Sequence, residues 1–309
     1  MATSPEAHAA FLAERRTGVG GSDAVVVLGL SPYLTPFQLW AQKLGLTTDD
    51  DAATEAEWLW WGRKIEPLLM ERWQLETNRV VVPHHNAIHL RHPSADWMTC
   101  HLDGEELDQA GARRSIVECK NVVVFRASSW LDQPPIEVQV QVQHNMAVAG
   151  TDTGVAIALL GGNQMAWCEL PRNQRFIDGL MEREYRFWQR VVQDDPPMVV
   201  ARDSKFLNTL WTPTAGTVVQ LDQAALALHR DREALQAKLT IANRRVKKLQ
   251  EQRDAIDAQL KLACRDQEAV ELPDGTLYTY KEVNRKGYTV DPTTYRQLRL
   301  ANKGGTDGK

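Results

Sequence analysis

From Thr217 to Leu272 the chain contains no glycine and no proline. A stretch that long without either residue has no turn-formers to break it, and the pattern within it is helical. Leu228, Leu235, Ala242, Leu249, Ile256 and Ala263 recur at a seven-residue spacing. Ala225, Arg232, Leu239, Val246, Arg253 and Leu260 form the complementary seam, with the two arginines as interruptions. Together they read as a coiled-coil heptad pattern. One unbroken helix would reach ~75 Å at 1.5 Å per residue; a helical hairpin satisfies the same pattern. Pro213 and Gly216 punctuate the chain just before this segment. Three parts follow: residues 1–212, a coiled-coil segment 217–267, and a tail 268–309. The tail reads as a hairpin over Ala269–Tyr280, a basic strand Lys281–Val290 and a short helix near Thr293–Leu300.

Composition narrows the function classes. Apolar residues make up 43% and charged residues 25% of 309, which is globular rather than disordered. No apolar run approaches the ~20 residues needed to span a bilayer, and the start lacks a signal-peptide pattern. A cytoplasmic protein with no membrane partner is the expectation. Cys100, Cys119, Cys168 and Cys264 are far apart, with no CxxC pair, so neither a zinc nor an iron–sulfur cluster is evident. The net charge of −4 excludes a generic polycation that holds nucleic acid by bulk attraction. It divides unevenly, −8 over residues 1–216 and +4 over 217–309. A cation site in the first part would account for that surplus of acid, as would solvated surface.

Residues 1–212 alternate between helical and extended patterns, which predicts an α/β domain. Ala9–Arg16 reads as a short helix running into Thr17-Gly18-Val19-Gly20-Gly21-Ser22-Asp23, where three glycines permit a sharp turn. Ser22 or Asp23 then caps a helix Ala24–Leu30. Helices are predicted over Pro36–Leu44, Glu55–Trp73, Ile136–Val148 and Arg175–Gln193, and an acidic linker around Asp49–Asp51. Trp58, Trp60, Trp61 and Trp73 can stack on bases, but their helical spacing favours packing. Strands are predicted in Arg79–Glu106 and over Ile116–Val124, with a hairpin joining Val155–Leu160 to Ala166–Leu170.

The chemistry centres on Leu102-Asp103-Gly104 and, fifteen positions after Asp103, Glu118-Cys119-Lys120. Residues two apart on a strand share a face, so Glu118 and Lys120 project together while Cys119 points the other way. The flanks Ser115-Ile116-Val117 and Val122-Val123-Val124 are largely apolar, where an unpaired Glu and Lys would be costly without a role. Two carboxylates and an ammonium at one point suit metal-assisted phosphodiester hydrolysis. Glu66, within Gly62-Arg63-Lys64-Ile65-Glu66-Pro67, is a further carboxylate. Gln141 and His144 share a helix face; His144 is either a base or metal ligand, or a hydrogen-bonded helix histidine. His84, His85, His89, His92 and His101 show no ligand spacing and default to surface or loop roles.

These segments carry a resemblance. Arg15 to Asp23, Gly62 to Pro67, Leu102-Asp103-Gly104, Glu118-Cys119-Lys120, Gln141-Val142-Gln143-His144-Asn145-Met146 and Asp194-Asp195-Pro196-Pro197 fall in the order of the YqaJ viral recombinase family. That family comprises relatives of phage lambda exonuclease. The resemblance implies a PD-(D/E)xK, restriction-endonuclease-like core with a central mixed sheet flanked by helices. The coiled-coil segment and a small basic β/α tail packing on the core would follow it. It further implies Mg²⁺-dependent 5′-to-3′ digestion of one strand of linear double-stranded DNA, with Mn²⁺ able to substitute. Asp103, Glu118 and the Cys119 backbone carbonyl would hold metal, Lys120 would be the water-positioning base, and Glu66 and Gln141 would hold a second ion or that water. Arg16 and Ser22 would receive the DNA 5′-phosphate, with His144, Gln143 and Arg285 as further candidates. A ring-shaped homotrimer, a single-strand annealing protein as partner, and a phage or prophage gene in a bacterial host complete the expectation. An endonuclease or repair nuclease of the same superfold, and an inactive DNA- or partner-binding module, are the alternatives.

Overall fold

A computed structural model describes residues 13–47, 57–84, 89–130, 132–211, 216 and 218–280, excepting the side chains of residues 58 and 59. The expected Lys281–Val290 strand, the Thr293–Leu300 helix, Arg285 and the Asp49–Asp51 linker lie outside these residues, as does the start of the Ala9–Arg16 helix. The chain divides into two compact units, Met1–Thr212 and Pro213–Lys309. Among the described residues no helix is long and apolar enough to cross a membrane.

After a helical turn at residues 13–15 the first unit continues with α1 (Gly21–Val27), α2 (Pro36–Lys43) and α3 (Glu57–Thr77). Four short strands follow: β1 (Val80–Pro83), β2 (His89–His92), β3 (Ala95–His101) and β4 (Gly104–Leu107). Then come β5 (Arg113–Val122), a 3₁₀ turn Val124–Trp130, α4 (Ile136–Ala149), β6 (Thr153–Leu160), β7 (Gln164–Pro171), α5 (Gln174–Val192) and α6 (Asp203–Leu210). The main sheet has the order β1-β4-β5-β6-β7, while β2 and β3 pair separately. Among the described strands of this sheet only β5 and β6 run parallel, and α4 is the crossover between them, as parallel neighbours require.

β5 is central and its middle is buried from Ser115 to Cys119, so it reads as a continuous run rather than an alternation. Its two faces differ in what covers them. Ile116 packs in one cluster with Val142 and Met146 of α4, Ala156 and Ala158 of β6, and Ile177 of α5. Val117 and Cys119 pack on the other side with Leu69, Met70 and Trp73 of α3. Glu118 and Lys120 share the parity of Ile116, and so face α4.

Several expectations need correction. The helix expected over Ala24–Leu30 runs Gly21–Val27, with Gly20 as its cap residue; Asp23 lies in the first turn and its carboxylate accepts from the Gly20 N–H at 2.9 Å. A glycine N-cap has no side chain to accept from the first-turn N–H groups, and Asp23 makes only the reciprocal bond, to the cap residue's own N–H. The strand after Ile116 stops at Val122 and gives way to the 3₁₀ turn, leaving Val124 and Phe125 exposed. Trp73 is fully buried, edge-on to Trp167, but Trp60 and Trp61 are exposed. Adjacent helical residues point about 100° apart, so one apolar stripe cannot bury both.

In the second unit, α7 (Gln223–Cys264) is a single helix of 42 residues, not a hairpin, and it is followed by the β8 (Ala269–Glu271) and β9 (Leu277–Thr279) pair. Asp222 caps it by accepting from Ala225 N at 3.0 Å. Of its heptad residues, Leu228, Leu235, Leu239, Leu249 and Ile256 are exposed and Leu260 is half-buried.

Candidate active site

Asp103 sits in the turn between β3 and β4, where the register places Gly104 opposite Val117 of β5. That pairing brings the Asp103 carboxylate onto β5, where Oδ2 accepts from the Cys119 N–H at 2.8 Å. Gly104 is required there: a Cβ would lie 2.9 Å from the Val82 carbonyl oxygen and 2.7 Å from Met70 Sδ. Glu118, 2% exposed, bonds through Oε1 to Lys120 and through Oε2 to Asn145 Nδ2 at 3.1 Å. Lys120 also donates to Gln141 Oε1 at 3.0 Å. Glu66 reaches the group from α3, with its own carbonyl 3.9 Å from the Cys119 sulfur.

The electrostatics are those of an anion-rich cluster. Burial first, and then the Glu118 and Glu66 charges, raise the Asp103 carboxyl well above the ordinary range, against the pull of Lys120. Glu66 is raised by burial and by Glu118, opposed by Lys120 and Arg63. The buried Cys119 thiol is pushed up by burial and by all three carboxylates, which suits a packing residue and not a nucleophile. Burial would lower the Lys120 ammonium, but Glu118 and Asp103 outweigh it and the amine is raised. In the metal-free chain its neighbours thus favour the ammonium form, which donates hydrogen bonds and offsets anionic charge. One ammonium against three carboxylates leaves the group short of positive charge. An all-oxygen donor set with that deficit fits a hard divalent cation.

Asn145 is the contact that sequence reasoning missed. It lies one turn beyond Gln141 on α4, and the two amides reach Lys120 and Glu118 together. Gly21 explains how the glycine-rich turn meets this helix: a Cβ there would lie 2.4 Å from Asn145 Oδ1 and 3.0 Å from Gln141 Cγ. The start of α1 thus packs directly on the face of α4 that carries the two amides.

Other expected residues go elsewhere. His144 is fully buried, with Nδ1 2.8 Å from Glu184 Oε1 and Nε2 2.8 Å from the Thr99 carbonyl oxygen. Burial would lower its pKa, but Glu184 and the Thr99 carbonyl outweigh it. Both ring nitrogens are therefore engaged in the core, and His144 is neither the site's base nor a ligand. Gln143 donates to the Pro171 carbonyl and accepts from Asn173 N, tying α4 to the start of α5. At the glycine-rich turn it is Arg15 that donates to Ser22 Oγ, at 3.1 Å, and approaches Asp23. Arg16 turns towards Gly45 at the end of α2.

Comparison with known proteins agrees with the motif order. Residues 10–152 match the YqaJ-like viral recombinase domain. The chain is 29% identical over 264 residues to the uncharacterized protein YqaJ of Bacillus subtilis (strain 168), spanning 84% of this chain and 78% of that protein. Among solved structures, it is similar to an alkaline exonuclease from Laribacter hongkongensis (18% identity, TM-score 0.49, 60% of this chain and 94% of that one). A phage-related exonuclease from Haemophilus somnus 129PT is also similar (12% identity, TM-score 0.39, 57% and 96%). The family match and the carboxylate–lysine cluster together support a nuclease.

Proposed function

Proceeding from a chain whose residues 10–152 carry a YqaJ-like viral recombinase domain, we propose that it is a Mg²⁺-dependent exonuclease. It digests one strand of linear double-stranded DNA from the 5′ end and leaves 3′ single-stranded tails for annealing. The observation that carries this is the convergence of Asp103, Glu118, Glu66, Lys120 and Gln141 on one end of β5. Asp103, Glu118 and the Cys119 carbonyl would hold the cation, with Glu66 and Gln141 serving a second ion or the attacking water. When bound, Mg²⁺ supplies Lewis acidity, making water more acidic and offsetting charge on the scissile phosphate. Lys120, fixed by Glu118 and Gln141, donates to the attacking water or to a non-bridging phosphate oxygen and stabilises the charge that develops there. Asn145 orients Glu118, and the Asp103–Cys119 hydrogen bond holds Asp103 in register with the strand.

End recognition is assigned to the turn at Thr17–Ser22, with Arg16 and Ser22 receiving the terminal phosphate. The packing of Gly21 on Asn145 and Gln141 supports this, because it sets the turn beside the helix face that serves the cluster. A chain of net charge −4 does not retain DNA by bulk attraction, so processive digestion calls for a closed ring, a homotrimer, acting with a single-strand annealing protein. The test is digestion of linear duplex carrying a 5′ or a 3′ end label, with Mg²⁺ or with EDTA. Strand loss should start at the 5′ end, require the cation, and disappear in Lys120→Ala. Full activity in Lys120→Ala would overturn the assignment.

A further inference from the structure

The β2–β3 register sets His89 directly opposite His101. Their rings stack, with centroids 4.6 Å apart and planes at 18°. Glu14, in the helical turn at residues 13–15, lies against both. Its Oε1 is 2.5 Å from His89 Nδ1 and its Oε2 is 3.2 Å from His101 Nε2. One donor atom from each of the three lies within 4.8 Å of the others, the one such His/Cys/Asp/Glu group among the described residues. We propose that Glu14, His89 and His101 form a second metal site, for a first-row transition ion of the Zn²⁺ type, separate from the acidic cluster.

The donor chemistry selects the ion. Two imidazoles and one carboxylate are borderline ligands that suit Zn²⁺ or Co²⁺, whereas Mg²⁺ favours an all-oxygen shell. Zn–N and Zn–O bonds of about 2.0–2.1 Å in a tetrahedron hold their donors about 3.4 Å apart. The three groups are close enough to reach that arrangement by side-chain adjustment. Both imidazoles are 13% exposed and the carboxylate 41%, so the group is walled by the hairpin and open on the glutamate side. That opening gives an ion its way in and leaves room for a water as fourth ligand.

An ion here would clamp the chain just before the glycine-rich turn onto the hairpin whose second strand continues into Asp103. Other ties already follow that line: Arg91 donates to Thr17 Oγ1 at 2.7 Å, and Val19 exchanges backbone hydrogen bonds with Trp97 and Thr99. The site is thus a fastening for the first segment of the fold and takes no part in hydrolysis.

The experiment titrates Co²⁺ into the full chain after chelator treatment, reading the visible absorption of tetrahedral Co²⁺, with Zn²⁺ added in a parallel melting series. One equivalent should bind with tetrahedral-type bands, and Zn²⁺ should raise the melting temperature. Both effects should persist in Asp103→Ala, which lacks a carboxylate of the acidic cluster. Both should weaken at least about tenfold in His89→Gln and in Glu14→Gln. These conservative variants are checked for native circular dichroism, and His89→Asn is the substitute should His89→Gln fail that check. Absence of tetrahedral bands in the parent chain, bands unchanged by His89→Gln and Glu14→Gln, or bands lost in Asp103→Ala would each overturn the proposal.

Discussion

Asp103 stores repulsion. Its carboxyl is raised by burial and by two neighbouring carboxylates, so the folded chain binds its proton more tightly than the unfolded chain does. Between the ordinary carboxylate range and the raised value, the metal-free protein therefore loses stability as pH rises. Glu66 contributes in the same direction. Asp103→Asn removes the charge and keeps an oxygen for the Cys119 N–H. It should stabilise the metal-free protein at neutral pH by about 1–2 kcal/mol, a rise of about 2–4 °C in Tm, while abolishing hydrolysis. Thermal melts at neutral and mildly acidic pH decide it: the gap between parent and variant should close as the pH falls, and a variant that melts lower at neutral pH would show that Asp103 is not under strain. Arg16 invites a second comparison, because Arg15 is the guanidinium on Ser22. Arg16→Ala should slow digestion of 5′-phosphorylated ends ten- to a hundredfold more than 5′-hydroxyl ends, a charged hydrogen bond contributing ~1.5–3 kcal/mol. Should Arg15→Ala alone show that discrimination, the phosphate contact belongs to Arg15.

The elements that carry the site were legible to unequal degrees. Strand alternation was enough to pair Glu118 with Lys120, because that geometry is local and β5 is central. The Asp103 contribution came from its place after an extended segment, which the β4–β5 register then realised. Helix α4 was harder. Positions 144 and 145 both lie near Gln141 on a helical wheel, and the choice between them is made by Glu184, forty positions from His144 and brought in by α5. His89 and His101 were given surface or loop roles for a related reason, since their meeting depends on a hairpin register that no spacing rule encodes. The glycines at the start of α1 were read as conformational freedom, yet Gly21 is needed for closeness. Gly21→Ala should displace Asn145 and Gln141, cost about 1–3 kcal/mol in stability, and lower kcat with little change in duplex binding. Paired turnover and binding measurements test this, and unchanged kcat would mean that α4 tolerates the shift.

At the scale of the whole molecule, the long helix dominates. A heptad stripe of 42 residues with Leu228 71%, Leu235 59% and Ile256 58% exposed is more apolar surface than a solitary helix usually leaves in water. This is the surface that assembly or a partner would bury. Light scattering at micromolar concentration should return a trimer, and deletion of residues 221–263 should either dissociate it or abolish binding of the annealing protein. A monomeric parent chain would remove the ring from the mechanism; a deletion with neither effect would leave the helix a spacer.

The buried contact between His144 and Glu184 has an evolutionary consequence. Neither ring nitrogen nor the facing carboxylate oxygen meets water, so exchange of one partner strands the other at a cost of about 3–5 kcal/mol. His144 lies on the helix that carries Gln141 and Asn145, and Glu184 on the helix bonded to it, so a lineage cannot pass through the single exchange without loosening that support of the site. Positions 144 and 184 should therefore drift as one character among related chains, inherited jointly or replaced jointly by an apolar pair of similar volume.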